Sequence, residues 1–106
     1  MEMTVCVYSL TRTFPKDEAY GLISQLRRAS VSVASNIAEG RGRTTDGEFR
    51  QFLGMAQGST YEVQTQLLVA RQLKIGDEAM LNKAEALCIE TSKMLGAFLQ
   101  SLGARG

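Results

Sequence analysis

The sequence contains no histidine and no tryptophan, and only one proline and two cysteines in 106 residues. Histidine is the commonest general base and the commonest metal ligand, so its absence argues against most acid–base catalysis and most metal centres. We therefore predict a protein that is not an enzyme, with no cofactor and no bound metal. Cys6 and Cys88 are too few for a disulfide scaffold, and each has apolar neighbours, which is typical of buried free thiols in a reducing compartment.

Long apolar runs are also missing. No stretch approaches the ~18 residues that a membrane span needs, and Glu2 stands where a signal peptide would carry positive charge. We expect a cytoplasmic protein with no membrane contact. Twelve Lys and Arg against eleven Asp and Glu leave a net charge of +1, which is too even to indicate a nucleic-acid partner from bulk charge. The length allows a single domain, residues 1–106.

Apolar residues recur every three or four positions along most of the chain, which predicts helices and no β-strand. Pro15 ends the first helix. The glycines at 40 and 42 are expected to end the second helix, and Gly76 the third, in the left-handed conformation. Asp17 and Asp77 are expected to cap the helices that follow them. The predicted helices cover about residues 3–13, 18–40, 46–73 and 77–102.

Short loops between three long helices require antiparallel neighbours, so we predict an all-α, up-and-down antiparallel four-helix bundle with a short first helix. The fourth helix has the clearest apolar stripe: Leu81, Ala84, Cys88, Thr91, Leu95, Phe98 and Leu102. The stripes of the third and fourth helices are wide, and the short first helix leaves a groove partly uncovered. Both features favour a homo-oligomer; the alternative is that wide stripes simply face the interior. Gly54 and Gly58 are interpreted as a close-packing contact.

Two segments of the predicted second helix resemble those of a known protein family: Ser-Gln-x-Arg-Arg-Ala at 24–29 and Ser-Asn-Ile-Ala-Glu-Gly at 35–40. Together with Phe-Pro-Lys-Asp-Glu-Ala at 14–19 and Thr-Gln-Leu-Leu at 65–68, they are similar to bacterial four-helix bundle proteins encoded in intervening sequences of 23S rRNA genes and at other bacterial loci. The resemblance implies an up-and-down bundle that assembles as a ring-shaped homo-pentamer. It also implies similarity to the accessory protein of diversity-generating retroelements, a basic ring associated with reverse transcriptase and nucleic acid. For most of the family the biochemical function is not established.

Arginines around the loop between the second and third helices are candidate contacts for nucleic acid or for a partner protein: Arg27, Arg28, Arg41, Arg43 and Arg50. Against three acids, these five arginines leave a charge of +2 over residues 27–50. A ring of identical subunits would repeat the loop arginines around one rim and sum their fields. The alternative is that the arginines cap helix ends and pair with neighbouring glutamates.

A polar stripe on the second helix is the other candidate site, and Arg28 borders it: Ser32, Ser35, Asn36 and Glu39. Interpreted structurally, the small serines admit a neighbouring helix while Arg28 and Glu39 bond to it; interpreted functionally, the stripe binds a ligand or partner. Two functions fit these observations. One is a non-enzymatic oligomeric adaptor that binds RNA or DNA through arginines near the loop between helices 2 and 3, and the other is a protein–protein interaction scaffold that binds no nucleic acid.

Overall fold

The structure, a computed structural model, describes residues 1–105 and consists of four α-helices: α1 (Glu2–Thr11), α2 (Lys16–Arg41), α3 (Asp46–Gln72) and α4 (Glu78–Arg105). Helices α1 and α3 each contact both α2 and α4, so the four stand in chain order at the corners of a square. The bundle measures 47 × 19 × 18 Å. The predicted all-α four-helix bundle with a short first helix is confirmed, and no strand occurs in residues 1–105.

Both ends of α2 differ from the prediction. The helix begins at Lys16 with Pro15 in the N-cap position, so Asp17 lies inside the first turn and does not cap it. A proline fits at the start of a helix because it has no backbone N–H, and an N–H in this position would have no acceptor within the helix. At the other end, Gly40 is helical and buried, and Gly42 follows the helix with φ −82°, so no left-handed residue ends α2.

The turn between α3 and α4 also differs from the prediction. Lys74, with φ 57°, is the left-handed residue after α3, where we expected Gly76. The Ile75 N–H donates to the Ala70 carbonyl at 3.1 Å and the Lys74 N–H to the Arg71 carbonyl at 3.1 Å, which satisfies the free carbonyls at the helix end. Gly76, with φ 88°, lies two residues later and directs the chain into α4.

The predicted N-cap of α4 is confirmed. The carboxylate of Asp77 accepts from the Met80 backbone N–H at 3.0 Å, which satisfies one of the free amides of the first turn. The Asp77 N–H in turn donates to Thr13 Oγ1 at 2.9 Å, so the start of α4 is tied to the chain just after α1.

The core divides into two clusters along the bundle axis. The main cluster takes buried side chains from all four helices, including Leu10, Leu26, Leu67 and Cys88. A smaller cluster contains only α3 and α4 residues as fully buried members, with α2 contributing half-buried Ile37 and α1 contributing nothing. We call this three-helix part the open end: residues 35–41 of α2, 46–56 of α3 and 94–102 of α4.

Six of the seven residues in the predicted α4 stripe are buried, and Phe98 is the exception with 48% of its surface exposed. Phe98 belongs to the open end, where its ring packs edge-on against the ring of Phe49 of α3, with 6.3 Å between the ring centroids. The helical period therefore predicted the correct face of α4, but at Phe98 no fourth helix covers that face.

Both cysteines are free and buried, as predicted. The Cys88 Sγ lies 3.3 Å from the Met3 Sδ in the core. Desolvation raises the pKa of Cys88 to about 12 and also raises the pKa of Cys6. Both thiols therefore stay protonated near neutral pH and act as small apolar packing residues.

Two further properties follow from the described residues. None of the four helices has a stretch long and apolar enough to cross a bilayer. The side chains that the structure describes also include no group of three or more Cys, Asp and Glu placed to hold a metal ion.

Candidate functional site

The structure divides the five candidate arginines into two groups. Arg41, Arg43 and Arg50 are exposed at the open end, where α2 turns into α3. Arg27 and Arg28 lie thirteen or more residues earlier on α2, about 20 Å away along the helix axis. The stretch 27–50 is therefore not one basic surface.

The open end has no excess of positive charge. Residues 39–50 hold three acids for three arginines: Glu39, Asp46 and Glu48 against Arg41, Arg43 and Arg50. Arg43 Nη2 donates to Glu39 Oε2 at 2.7 Å, and its guanidinium lies 4.6 Å from the centre of the Phe52 ring. The +2 predicted for the longer stretch therefore comes from Arg27 and Arg28, at a different part of the molecule.

Arg27 fastens α1 to α2. Its Nε donates to Thr11 Oγ1 at 2.8 Å, and its guanidinium lies 4.8 Å from the centre of the Tyr8 ring. Both contacts are to the last turns of α1, so Arg27 holds the end of the short helix in place. Arg28 is exposed on the adjacent face and donates to Gln25 of its own helix.

Half of the polar stripe faces α3. Ser32 Oγ lies 2.9 Å from Ser59 Oγ of α3. Asn36 Nδ2 donates to the Ser32 carbonyl at 2.9 Å and to Ser32 Oγ at 3.1 Å. These three side chains form a short polar network, half-buried between α2 and α3, as the structural interpretation of the small serines predicts.

The other half of the stripe does not reach α3. Ser35 is exposed, Arg28 bonds to Gln25, and Glu39 pairs with Arg43 one turn further along the chain. The predicted bonds of Arg28 and Glu39 to the neighbouring helix are therefore absent from residues 1–105, and those two side chains remain on the surface.

Close packing between α2 and α3 occurs at Gly40 and not at the glycines we predicted. A Cβ on Gly40 would lie 3.0 Å from Phe49 Cδ1 and 3.1 Å from Phe52 Cβ. Gly54 and Gly58 have nothing within 4 Å of a Cβ, so their close-packing interpretation is wrong for the bundle of one chain.

We expect Gly40→Ala to lower the free energy of unfolding by about 1 kcal/mol, because overpacking outweighs the gain in helix propensity. Gly58→Ala is the matched control and should raise it by about 0.5–1 kcal/mol, since the same methyl meets no neighbour. Urea unfolding followed by circular dichroism measures both. Equal stabilisation by the two substitutions would contradict the contact at Gly40.

An apolar groove of about 460 Å³ lies between α2 and α4 at the open end. It is lined by Met1, Ala34, Ile37, Ala38, Arg41 and Met94. Thr4 Oγ1 donates to the Ser30 carbonyl at 3.2 Å, so α1 covers α2 from about this level. The groove continues the path of α1 along residues 35–41 of α2, about 10 Å of helix.

The sequence predicted an uncovered groove from the length of the first helix but not its lining. Ile37 lies on the apolar line of α2, so the helical period alone predicts a core residue at this position and does not indicate a groove. Nothing in the sequence distinguished Ala34, Ala38 and Met94 from the other small or apolar residues of α2 and α4. The difference in length between α1 and α2 is the signal that locates the groove, from about residue 34 of α2 onward.

A second exposed apolar patch lies on the outer side of the α3–α4 contact. Tyr61, Leu68 and Ile89 are 53%, 53% and 43% exposed. Leu68 lies one turn before Arg71, whose Nη2 donates to Glu85 Oε2 of α4 at 3.0 Å, and Ile89 lies one turn after Glu85. The three apolar side chains therefore follow the same flank of the two helices.

Comparison with known proteins supports the resemblance stated above. Residues 1–97 match the model of a protein family described as 23S rRNA-intervening sequence protein. No curated protein shows significant similarity to the chain.

Proposed function

Since the chain belongs to the 23S rRNA-intervening sequence protein family, we propose that it is a non-enzymatic helical adaptor that assembles with copies of itself and acts by binding other proteins. The observation that carries the proposal is the groove at the open end. One chain leaves the groove-lining Met94 46% exposed and the neighbouring Phe98 48% exposed, beside a core that only three helices cover.

The exposed apolar surface supplies a driving force for assembly. Burying a large apolar side chain from full exposure contributes about 1.5–3 kcal/mol, so covering the exposed half of Met94 or Phe98 would contribute about 1 kcal/mol each. A second copy that covers the groove would also shield Ile37, which is already half-buried.

Two different apolar surfaces suit a ring. The groove lies between α2 and α4, whereas Tyr61, Leu68 and Ile89 lie along α3 and α4. When one surface of a copy binds a different surface of the next, the assembly closes into a ring if the rotation allows it. This arrangement agrees with the pentamer that the family resemblance implies.

Nucleic-acid binding by the open-end arginines has less support than protein binding. Residues 39–50 carry no net charge, and Arg43 is paired with Glu39. A ring would repeat a neutral rim and would not sum a positive field. The uncovered groove therefore supports the protein–protein interaction function, and the open-end arginines give no support to nucleic-acid binding at this end of the bundle.

Size-exclusion chromatography with light scattering tests the assembly. We expect the wild-type protein at micromolar concentration to have a mass near five times 11.6 kDa. Met94→Glu should shift the mass toward 11.6 kDa, because a carboxylate in an apolar contact must be desolvated without a partner. Met55→Glu is the matched control: Met55 is 43% exposed on α3, outside both apolar surfaces, and the variant should keep the wild-type mass.

Circular dichroism checks that both variants keep their helix content. Phe98→Ser removes the half-exposed ring next to the groove and should also shift the mass toward 11.6 kDa. A wild-type mass of 11.6 kDa at high micromolar concentration would contradict self-association. Dissociation by Met55→Glu as strong as that by Met94→Glu would contradict the role of the groove.

A further inference from the structure

A cleft between α1 and the first half of α2 gathers cationic and aromatic side chains that the proposed assembly does not use. It consists of two adjoining cavities of about 640 and 390 Å³ that share Tyr20 and Arg27. The larger cavity adds Arg12 and Lys16, and the smaller adds Tyr8 and Arg28. The cleft lies at the opposite part of α2 from Arg41 and Arg43.

The charged side chains of this cleft are all positive. Four cationic side chains line it, and no Asp or Glu is among its described lining residues. None of the four forms an ion pair with a carboxylate among the side chains that the structure describes: the ion pairs of Arg43 with Glu39 and of Arg71 with Glu85 join other residues. Asp17 neighbours Lys16 in the chain but lines neither cavity. Residues 8–28 hold these four cations and two acids, a charge of +2, whereas residues 39–50 hold none.

Arg27 is held in one orientation at the centre of the cleft. Thr11 accepts from its Nε, and Tyr8 lies against its guanidinium, as described above. The two terminal amino groups of Arg27 have no hydrogen-bond acceptor among the described side chains. A fixed guanidinium with free N–H groups suits a phosphate, because the side chain loses little further entropy on binding.

Tyr20 supplies a flat apolar surface beside these cations. Its side chain is 77% exposed, although it lines both cavities. An aromatic ring exposed next to a cationic cleft offers a stacking surface for a planar ring, and such stacking contributes about 1–3 kcal/mol per base in single-strand binding proteins. Tyr20 lies one turn from Lys16 and two turns from Arg27 on the same face of α2.

We propose that this cleft binds a nucleotide, that is, a phosphate ester that carries a planar base, either free or as a unit of a single strand. Arg12, Lys16 and Arg27 hold the phosphate, and Tyr20 stacks on the base. The cleft is separate from the apolar groove at the open end, so nucleotide binding does not depend on self-association through that groove.

Calorimetry at low salt with three probes tests the proposal: inorganic phosphate, adenosine monophosphate and a short single-stranded oligoadenylate. Arg12→Ala combined with Lys16→Ala should weaken binding of the oligoadenylate about tenfold or more. It should also reduce the slope of log K against log salt by about 1.4, since each lost phosphate contact on a single strand removes about 0.7. The matched control, Arg41→Ala with Arg43→Ala, removes the same charge at the open end and should change affinity by less than about twofold.

Tyr20 variants separate stacking from charge. Tyr20→Ala should weaken adenosine monophosphate and oligoadenylate about five- to a hundredfold while leaving inorganic phosphate unchanged, and Tyr20→Phe should restore both affinities. Binding of the monophosphate as tight as that of the strand indicates a free nucleotide as ligand, and much tighter binding of the strand indicates a nucleic acid.

Absence of binding by either nucleotide probe at low salt would overturn the proposal, as would equal losses from the Arg12/Lys16 pair and the Arg41/Arg43 pair. Light scattering of the same samples reports the oligomeric state independently. A monomer that binds nucleotide would contradict the proposed assembly alone, and an oligomer that binds none would contradict the cleft alone.

Discussion

Replacing Leu67 with alanine is expected to lower the free energy of unfolding by about 3 kcal/mol. Leu67 is 1% exposed and belongs to the main core cluster between all four helices. The substitution removes three carbon atoms from a closely packed interior and leaves a cavity that the surrounding helices fill only in part. Urea unfolding followed by circular dichroism measures the change.

Leu73→Ala is the matched control, because it removes the same atoms from a residue outside both apolar surfaces. Leu73 is 62% exposed at the end of α3, so we expect its substitution to change the free energy of unfolding by no more than about 0.5 kcal/mol. Both variants are compared at one protein concentration and in the same oligomeric state. Equal losses for Leu67 and Leu73 would contradict the burial of Leu67 in the core.

The helical faces were predictable because the apolar period of 3.6 residues is a local property of the sequence. Leu67 continues the line of Leu53 and Thr60, each one seven-residue step apart, and all three are buried. Phe98 fits the α4 stripe equally well and yet is 48% exposed. Whether a face is covered depends on the length of a different helix, α1, which the period in α4 does not report.

Helix ends were less predictable because tertiary contacts decide them. We expected Gly76 to be the left-handed residue after α3, since left-handed backbone costs other residues about 1–2 kcal/mol. Lys74 adopts that conformation instead, because the hydrogen bonds from Lys74 and Ile75 to the end of α3 offset its cost. Asp17 suits a cap by residue type, but Pro15 occupies the N-cap position and the helix begins at Lys16.

The candidate arginines are near one another in the sequence, but the helical geometry does not keep them together in space. On a helix, residues at spacings of three and four share a face, so Lys16, Tyr20, Ile23 and Arg27 lie together while Arg41 lies about 20 Å beyond Arg27. The spacing of four, three and four between those four residues was visible in the sequence. Their partner Arg12 was not predictable, because it reaches the cleft from the end of α1.

Gly76→Ala is expected to lower the free energy of unfolding by about 3 kcal/mol. The backbone at Gly76 has φ 88°, which disfavours any residue with a Cβ. That Cβ would lie 2.5 Å from Phe14 Cε1 and 3.3 Å from Leu10 Cδ1. Phe14 is 3% exposed and Leu10 fully buried, so neither can move aside without disturbing the core.

Two comparisons separate the backbone strain from the steric clash at Gly76. Gly21→Ala, in a helix with nothing within 4 Å of its Cβ, should raise the free energy of unfolding by about 0.5–1 kcal/mol. In a Phe14→Leu background the clash with the aromatic ring is relieved, so Gly76→Ala should cost about 1–2 kcal/mol, which is the strain alone. The same cost in both backgrounds would mean that the ring of Phe14 does not restrict the turn. In that case the positive φ alone would account for the glycine that joins α3 to α4.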